Sequence, residues 1–172
     1  MSVIDTLITD RTQADCDRAA ALAAKGLAGM TAAECAEYLA GMKGAYNAAD
    51  MNRVTEAMEY IAERFREKGY SVALSHTRTW SMSAIPTPEQ TAGYLADLAA
   101  LRNMLAVPSS VPTVPPDMDG MTVQEANDIE RILAELDRLL TLAAESWLRC
   151  GNVNTYCNQR GLPTETASAI QI

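Results

Sequence analysis

The chain has 172 residues, a formal net charge of −8, and a hydrophobic fraction of 48% that is rich in alanine, with aromatics at only 5%. Gripping nucleic acid needs a basic stripe to displace phosphate counterions, and here Arg64, Arg66 and Lys68 alternate with Glu63 and Glu67, as on a solvated helix face. No apolar run approaches the ~20 residues of a membrane span, and Met1-Ser-Val-Ile-Asp5 lacks the basic and apolar regions of a signal peptide, so the expectation is a soluble protein made in the cytoplasm, without nucleic-acid or membrane partners.

Helix starts are legible in chain order. Thr12 followed by Asp15 predicts a cap and a helix over 12–25, closed by Gly26. Thr31-Ala-Ala-Glu34 fits a capping box and opens a helix over 31–43, stopped by Gly44. Asn47 with Asp50 opens a third over 48–68, whose Met51, Val54, Met58, Ile61 and Phe65 alternate three and four apart before Gly69. Tyr70 to Trp80 suits a short extended segment or β-ribbon near 70–80, since Val72 and Leu74 alternate with small residues.

Thr87-Pro-Glu-Gln90 combines a capping box with proline at the first helical position and predicts a helix over 88–106, with Tyr94, Leu98, Leu101 and Leu105 on one stripe. Four prolines between Val107 and Asp117 read as a stiff, extended spacer. Thr122-Val-Gln-Glu125 then opens a long helix over 123–150, roughly 42 Å if regular. Its Ile129, Leu133, Leu136, Leu140, Ala143 and Trp147 keep a four-three spacing, and Ile132, Leu139 and Leu142 widen the stripe beyond a two-stranded seam. After Gly151 the chain is polar and aperiodic, an arm that orders on a partner or a disordered end.

The expectation is a mainly α protein: an elongated bundle of about five helices, divided as an N-terminal helical hairpin (1–44), a bundle with the proline spacer at 107–117 (45–150) and a C-terminal arm (151–172). Ala48-Ala-Asp-Met-Asn-Arg-Val54 echoes Ala126-Asn-Asp-Ile-Glu-Arg-Ile132. Asp50 and Arg53, like Asp128 and Arg131, stand three apart and can pair on one face. A duplicated helical unit and a shared N-terminal acid rule both account for the echo.

The residues nominate no chemistry. His76 is the single histidine and reads as an exposed loop residue without a nucleophile, and the glycines form no phosphate loop. Asp117, Asp119 and Glu125 lack the spacing of a calcium loop, and the acids fall mainly in helix first turns and on solvent faces. Cys16, Cys35, Cys150 and Cys157 form no C-x-x-C pair; they read as free thiols, with a Cys150–Cys157 bridge as the alternative. No catalytic, cofactor or metal residues are expected. Trp80 and Trp147 suit either core packing or anchorage to a partner.

Five segments in fixed order carry a resemblance: Ile4-Asp-Thr-Leu-Ile-Thr-Asp-Arg-Thr12; Gly44-Ala-Tyr-Asn-Ala-Ala-Asp-Met-Asn-Arg-Val54; Thr79-Trp80 with Ile85-Pro-Thr-Pro88; Tyr94-Leu-Ala-Asp97; and Met121-Thr-Val-Gln-Glu-Ala-Asn-Asp-Ile-Glu130. Up to about Cys150 the chain resembles small tail-associated structural proteins of phages and prophages of Gram-positive, Clostridia-like bacteria. It departs at Ala84, where an acid is more usual, and beyond Gly151. The resemblance implies a non-enzymatic component of a phage particle, in the distal tail or baseplate, with no catalytic residues. Trimeric or higher self-association is expected through Ile129, Leu133, Leu136, Leu140, Trp147 and Trp80, alongside contacts with neighbouring tail subunits. A soluble helical adaptor that binds one host or phage protein is the alternative.

Overall fold

The computed structural model describes residues 2–76 and 78–150, with side chains as far as Glu145. Among these residues the protein is mainly helical and has no strand. A 3₁₀ turn, Val3–Thr6, precedes five helices: α1 (Gln13–Gly29), α2 (Ala32–Leu39), α3 (Ala48–Glu67), α4 (Pro88–Arg102) and α5 (Val123–Cys150). The chain divides into two compact units, Met1–Leu136 and Asp137–Ile172, so residues 1–44 belong with 45–136 in one unit.

Local chemistry explains where the helices begin. Thr12, Thr31, Asn47 and Thr87 each accept from a first-turn amide, while Asp15, Glu34, Asp50 and Gln90 reach back to the capping residue's own N–H. Thr122 and Glu125 do the same before α5. Each reciprocal pair satisfies two orphan donors, and a lost cap costs about 1 kcal/mol. The stops differ more from expectation. Gly26 adopts φ 63° inside α1 and kinks it instead of ending it, and α2 closes at Ala40 before Gly41. The fourth helix stops at Arg102, capped by Asn103, four residues short of the expected 106.

The core of the first unit draws its buried side chains from three helices. From α3 come Met51, Val54, Met58, Ile61 and Phe65; from α4 Tyr94, Leu95, Leu98 and Leu101; from α5 Ile129, Ile132, Leu133 and Leu136, all buried. Fully burying side chains of this size yields roughly 1.5–3 kcal/mol each. The α1–α2 pair contributes far less, with only Ala19 and Leu22 buried. The proline run is held in place rather than free: Val111 and Pro115 are buried, and Arg102 donates to the carbonyls of Pro112 (2.6 Å) and Val111 (3.2 Å). Residues 70–76 and 78–80 form no strand. They are held by side chains of α3 and α4, which supply the hydrogen bonds a ladder would otherwise give.

Candidate functional site

The most unusual chemistry lies inside the first unit. Arg11, on the coil before α1, is only 4% exposed. Its Nη2 donates to Asp50 Oδ1 (2.9 Å) and Glu130 Oε1 (2.6 Å), its Nη1 to the Ile8 carbonyl (2.7 Å) and its Nε to the Lys43 carbonyl (3.0 Å). The guanidinium also lies over the Tyr46 ring, 5.2 Å from its centroid. Arg53 completes the cluster, donating to both Glu130 oxygens (2.8 and 3.1 Å) and to Asp50 (2.5 Å). The second oxygen of Glu130 accepts the Ile8 amide at 2.6 Å.

Two arginines and two carboxylates thus sum to zero charge, with Glu130 wholly buried. Removing ions from water costs several kcal/mol each, and only a saturated set of partners offsets that. Desolvation works to lower the basicity of Arg53, but its bonds to Glu130 and Asp50 prevail and raise it. Tyr46 and Tyr94 share a hydroxyl–hydroxyl bond of 2.7 Å beside the cluster. Burial pushes both phenols above their usual range.

Two asparagines near the starts of α3 and α5 act alike. Asn127 accepts from the Arg11 amide (2.9 Å) and donates to the Arg11 carbonyl (3.0 Å). Asn52 accepts from the Trp80 amide (2.7 Å) and donates to the Trp80 carbonyl (3.0 Å). Each side-chain amide imitates one rung of a sheet and fixes an extended stretch of chain on a helix. Trp80 is also buried, edge-on to Tyr94 with centroids 5.8 Å apart, and its indole N–H donates to Thr55 (3.3 Å).

His76 is exposed, as expected, but it is not loose. The buried Asp97 accepts from the amides of Ser75 (3.1 Å) and His76 (2.8 Å) and meets His76 Nδ1 at 3.1 Å. The imidazole lies so close to α4 that a Cβ on Gly93 would come within 2.6 Å of its Cδ2. The mid-helix glycine is what admits the ring. Open clefts flank the cluster: one of about 410 Å³ lies between Leu7, Ile8, Met42, Lys43 and Arg53, and one of about 310 Å³ between Arg11, Tyr46, Met121 and Ala126.

The structure places the residues expected at an interface as follows. Ile129, Leu133 and Leu136 have no exposed surface in the single chain, and Leu140 and Trp80 keep only 3% and 7%. The Trp147 side chain, the Cys150–Cys157 pair and the arm at 151–172 lie outside the described residues. Cys16 and Cys35 are free thiols, both partly exposed. Among the described residues no group of three or more histidine, cysteine or acidic side chains could hold a metal, and no helix is long and apolar enough to cross a membrane.

Asp50 lies in the first turn of α3 as expected, though buried, whereas Asp97 and Glu130 are buried within α4 and α5 and fit neither a first turn nor a solvent face. A signal was present. Ala126, Ile129, Glu130 and Leu133 stand at i, i+3, i+4 and i+7, as do Tyr94, Asp97, Leu98 and Leu101, which places a carboxylate inside each apolar stripe. The two arginine pairs of the sequence echo also differ in kind. Arg53–Asp50 is nearly buried, whereas Arg131–Asp128 spans 4.0 Å with Arg131 exposed. Comparison with known proteins gave no matching family model, no matching curated protein and no matching solved structure.

Proposed function

We propose that this chain is a non-enzymatic structural component of a phage tail or baseplate, or of a phage-derived particle, acting through protein–protein packing. One observation carries the reading beyond the resemblance itself. The segments that bear the resemblance converge on internal ties: Arg11, Tyr46, Asp50, Arg53, Trp80, Tyr94, Asp97, Asn127 and Glu130 bond to one another or to the backbone. A motif kept for catalysis turns its polar groups toward a substrate. These groups are turned inward, which suits a subunit valued for a fixed shape.

Within this reading the chain self-associates as a trimer or higher symmetric oligomer and packs against neighbouring tail subunits, where symmetry multiplies a modest interface. The heptad spacing of α5 continues past Leu136 to Leu140, Ala143 and Trp147, and the stretch beyond the buried Leu140 is the part of the helix assigned to assembly. The test is quantitative mass spectrometry of purified particles. A fixed copy number, in multiples of three or six, is expected. Abundance in the lysate with absence from particles would overturn the reading in favour of a soluble adaptor.

A further inference from the structure

The two arginines of the buried cluster do not use their donors alike. Arg11 engages all three of its side-chain nitrogens, on the Lys43 and Ile8 carbonyls, Asp50 and Glu130. Arg53 gives Nε to Glu130 and Nη2 to Glu130 and Asp50. A guanidinium carries five N–H donors, so those on Arg53 Nη1 have no partner among the described residues. They are not sealed in. Every buried side-chain nitrogen or oxygen among the described residues has a partner, so the unpartnered Nη1 is reached by solvent. The Arg53 side chain, 18% exposed, lines the cleft of about 410 Å³ beside Leu7, Ile8, Met42 and Lys43.

The acceptors on the same walls are largely taken. Asp50 receives both arginines and the Asn47 amide. The Ile8 and Lys43 carbonyls are held by Arg11, and the Met42 carbonyl by the Ala45 amide. The remaining carboxylate of the cleft, Asp10, is 77% exposed and meets Lys43 Nζ at 2.8 Å. An exposed pair of this kind is worth little, so an incoming anion can replace Asp10 on Lys43.

We propose that this cleft is a carboxylate-binding site, in which one carboxylate displaces Asp10 and is held by Arg53 Nη1 and Lys43 Nζ. Charge decides the class. Arg11, Arg53 and Lys43 balance Asp10, Asp50 and Glu130, and exchanging Asp10 for one ligand carboxylate keeps that balance. A phosphate dianion adds a further negative charge, in a chain whose net charge is −8. A cation meets two groups that are themselves cationic, and a neutral carbonyl forms the weaker bond to each donor. The apolar side chains of Leu7 and Met42 suit the carbon skeleton beside the carboxylate. The site does not depend on the structural reading above.

The test is an NMR titration of the whole chain with sodium acetate, against sodium chloride at matched ionic strength. Acetate is expected to shift the Arg53 guanidinium and the amides of residues 42–44 along a saturating curve that chloride does not produce. Arg53 supports the fold through Glu130 and Asp50, so it is followed by its own signal rather than replaced. Lys43→Ala is expected to weaken acetate binding by roughly tenfold. Asp10→Asn is expected to tighten it by about threefold. Both variants should melt close to wild type, because the pair they break is exposed. Two further probes separate the sources of a carboxylate. Acetyl-dialanine with a free C-terminus binding more tightly than acetate supports the site as one for a chain terminus. An amidated acetyl-glutamate doing so supports it as one for an acidic side chain, and acetate binding best supports a small free acid. Shifts that merely follow chloride, equal acetate affinity in wild type and Lys43→Ala, or phosphate binding more tightly than acetate would each overturn the proposal.

Discussion

The α1–α2 hairpin and the Arg11 cluster are both held by ion pairs, yet they differ physically. In the hairpin, Arg18 grips Glu37 (2.8 Å) and Lys25 grips Glu34 (2.6 Å), with all but Glu34 close to half exposed. In the cluster, Arg11, Asp50 and Glu130 are sealed, and every carboxylate oxygen has a donor. Exposed pairs can break and be replaced by water, so each is worth little and salt weakens it. A sealed pair cannot be replaced, and removing one member leaves its partner stranded. The same residue types therefore make an adjustable seam in one place and an all-or-none tie in the other.

The largest expected effect comes from breaking the tie. Glu130→Ala leaves Arg11 and Arg53 to share Asp50 as their one remaining carboxylate in the cluster and strands the Ile8 amide, and should cost about 3–5 kcal/mol, read as a lower urea midpoint. Glu130→Gln, which keeps the shape but not the charge, should fall between wild type and alanine. If alanine unfolds no more easily than wild type, the cluster does not hold the fold. Next, Asn127→Ala removes both bonds to the Arg11 backbone and should cost about 1–3 kcal/mol. Its signature is faster hydrogen exchange at the Arg11 amide.

A smaller contrast comes from salt. Raising NaCl should loosen amides of α1 and α2 while leaving those around Arg11 protected, and equal loosening in both places would erase the distinction. The smallest effect is set by acid. Lys25 and the Thr31 amide hold the Glu34 carboxyl down to about 2, against an ordinary value of 4.5. Because the folded value lies below the unfolded one, its stabilisation is complete above about pH 4.5 and fades as pH falls toward 2. Glu34→Gln should remove that acid-dependent part of hairpin exchange, and an unchanged pH profile would show that the Lys25 pair contributes nothing.

The same contrast explains what could be read in advance. The capping residues of α1 to α5 were legible because a cap is settled within four residues, and the α3 stripe from Met51 to Phe65 because helical spacing alone exposes it. Gly44 read as a helix stop. In the fold it is a point of close approach, where a Cβ would overlap the Asp15 carbonyl and the Cys16 amide, a contact set by tertiary packing. The cluster was legible only in part: the Asp50–Arg53 pair could be read from its spacing and Glu130 from its place in an apolar stripe, but not the link to Arg11. Arg11 and Glu130 lie 119 positions apart, and nothing in either neighbourhood names the other. Heptad spacing marks a buried stripe without saying whose surface buries it, so Ile129, Leu133 and Leu136 are legible as a stripe and not as an interface.

The span from Arg11 to Glu130 also orders events during synthesis. At ~5–20 residues per second, a ribosome takes about 6–24 s to travel from one to the other. Through that interval the first dozen residues have no acceptor in α5, while the hairpin, whose ion pairs join residues 9 to 19 apart, can already close. The N-terminal strap is therefore made first and fastened late. A nascent chain arrested before α5 should be cut readily by protease ahead of Thr12, and protection there would mean that the strap docks without α5.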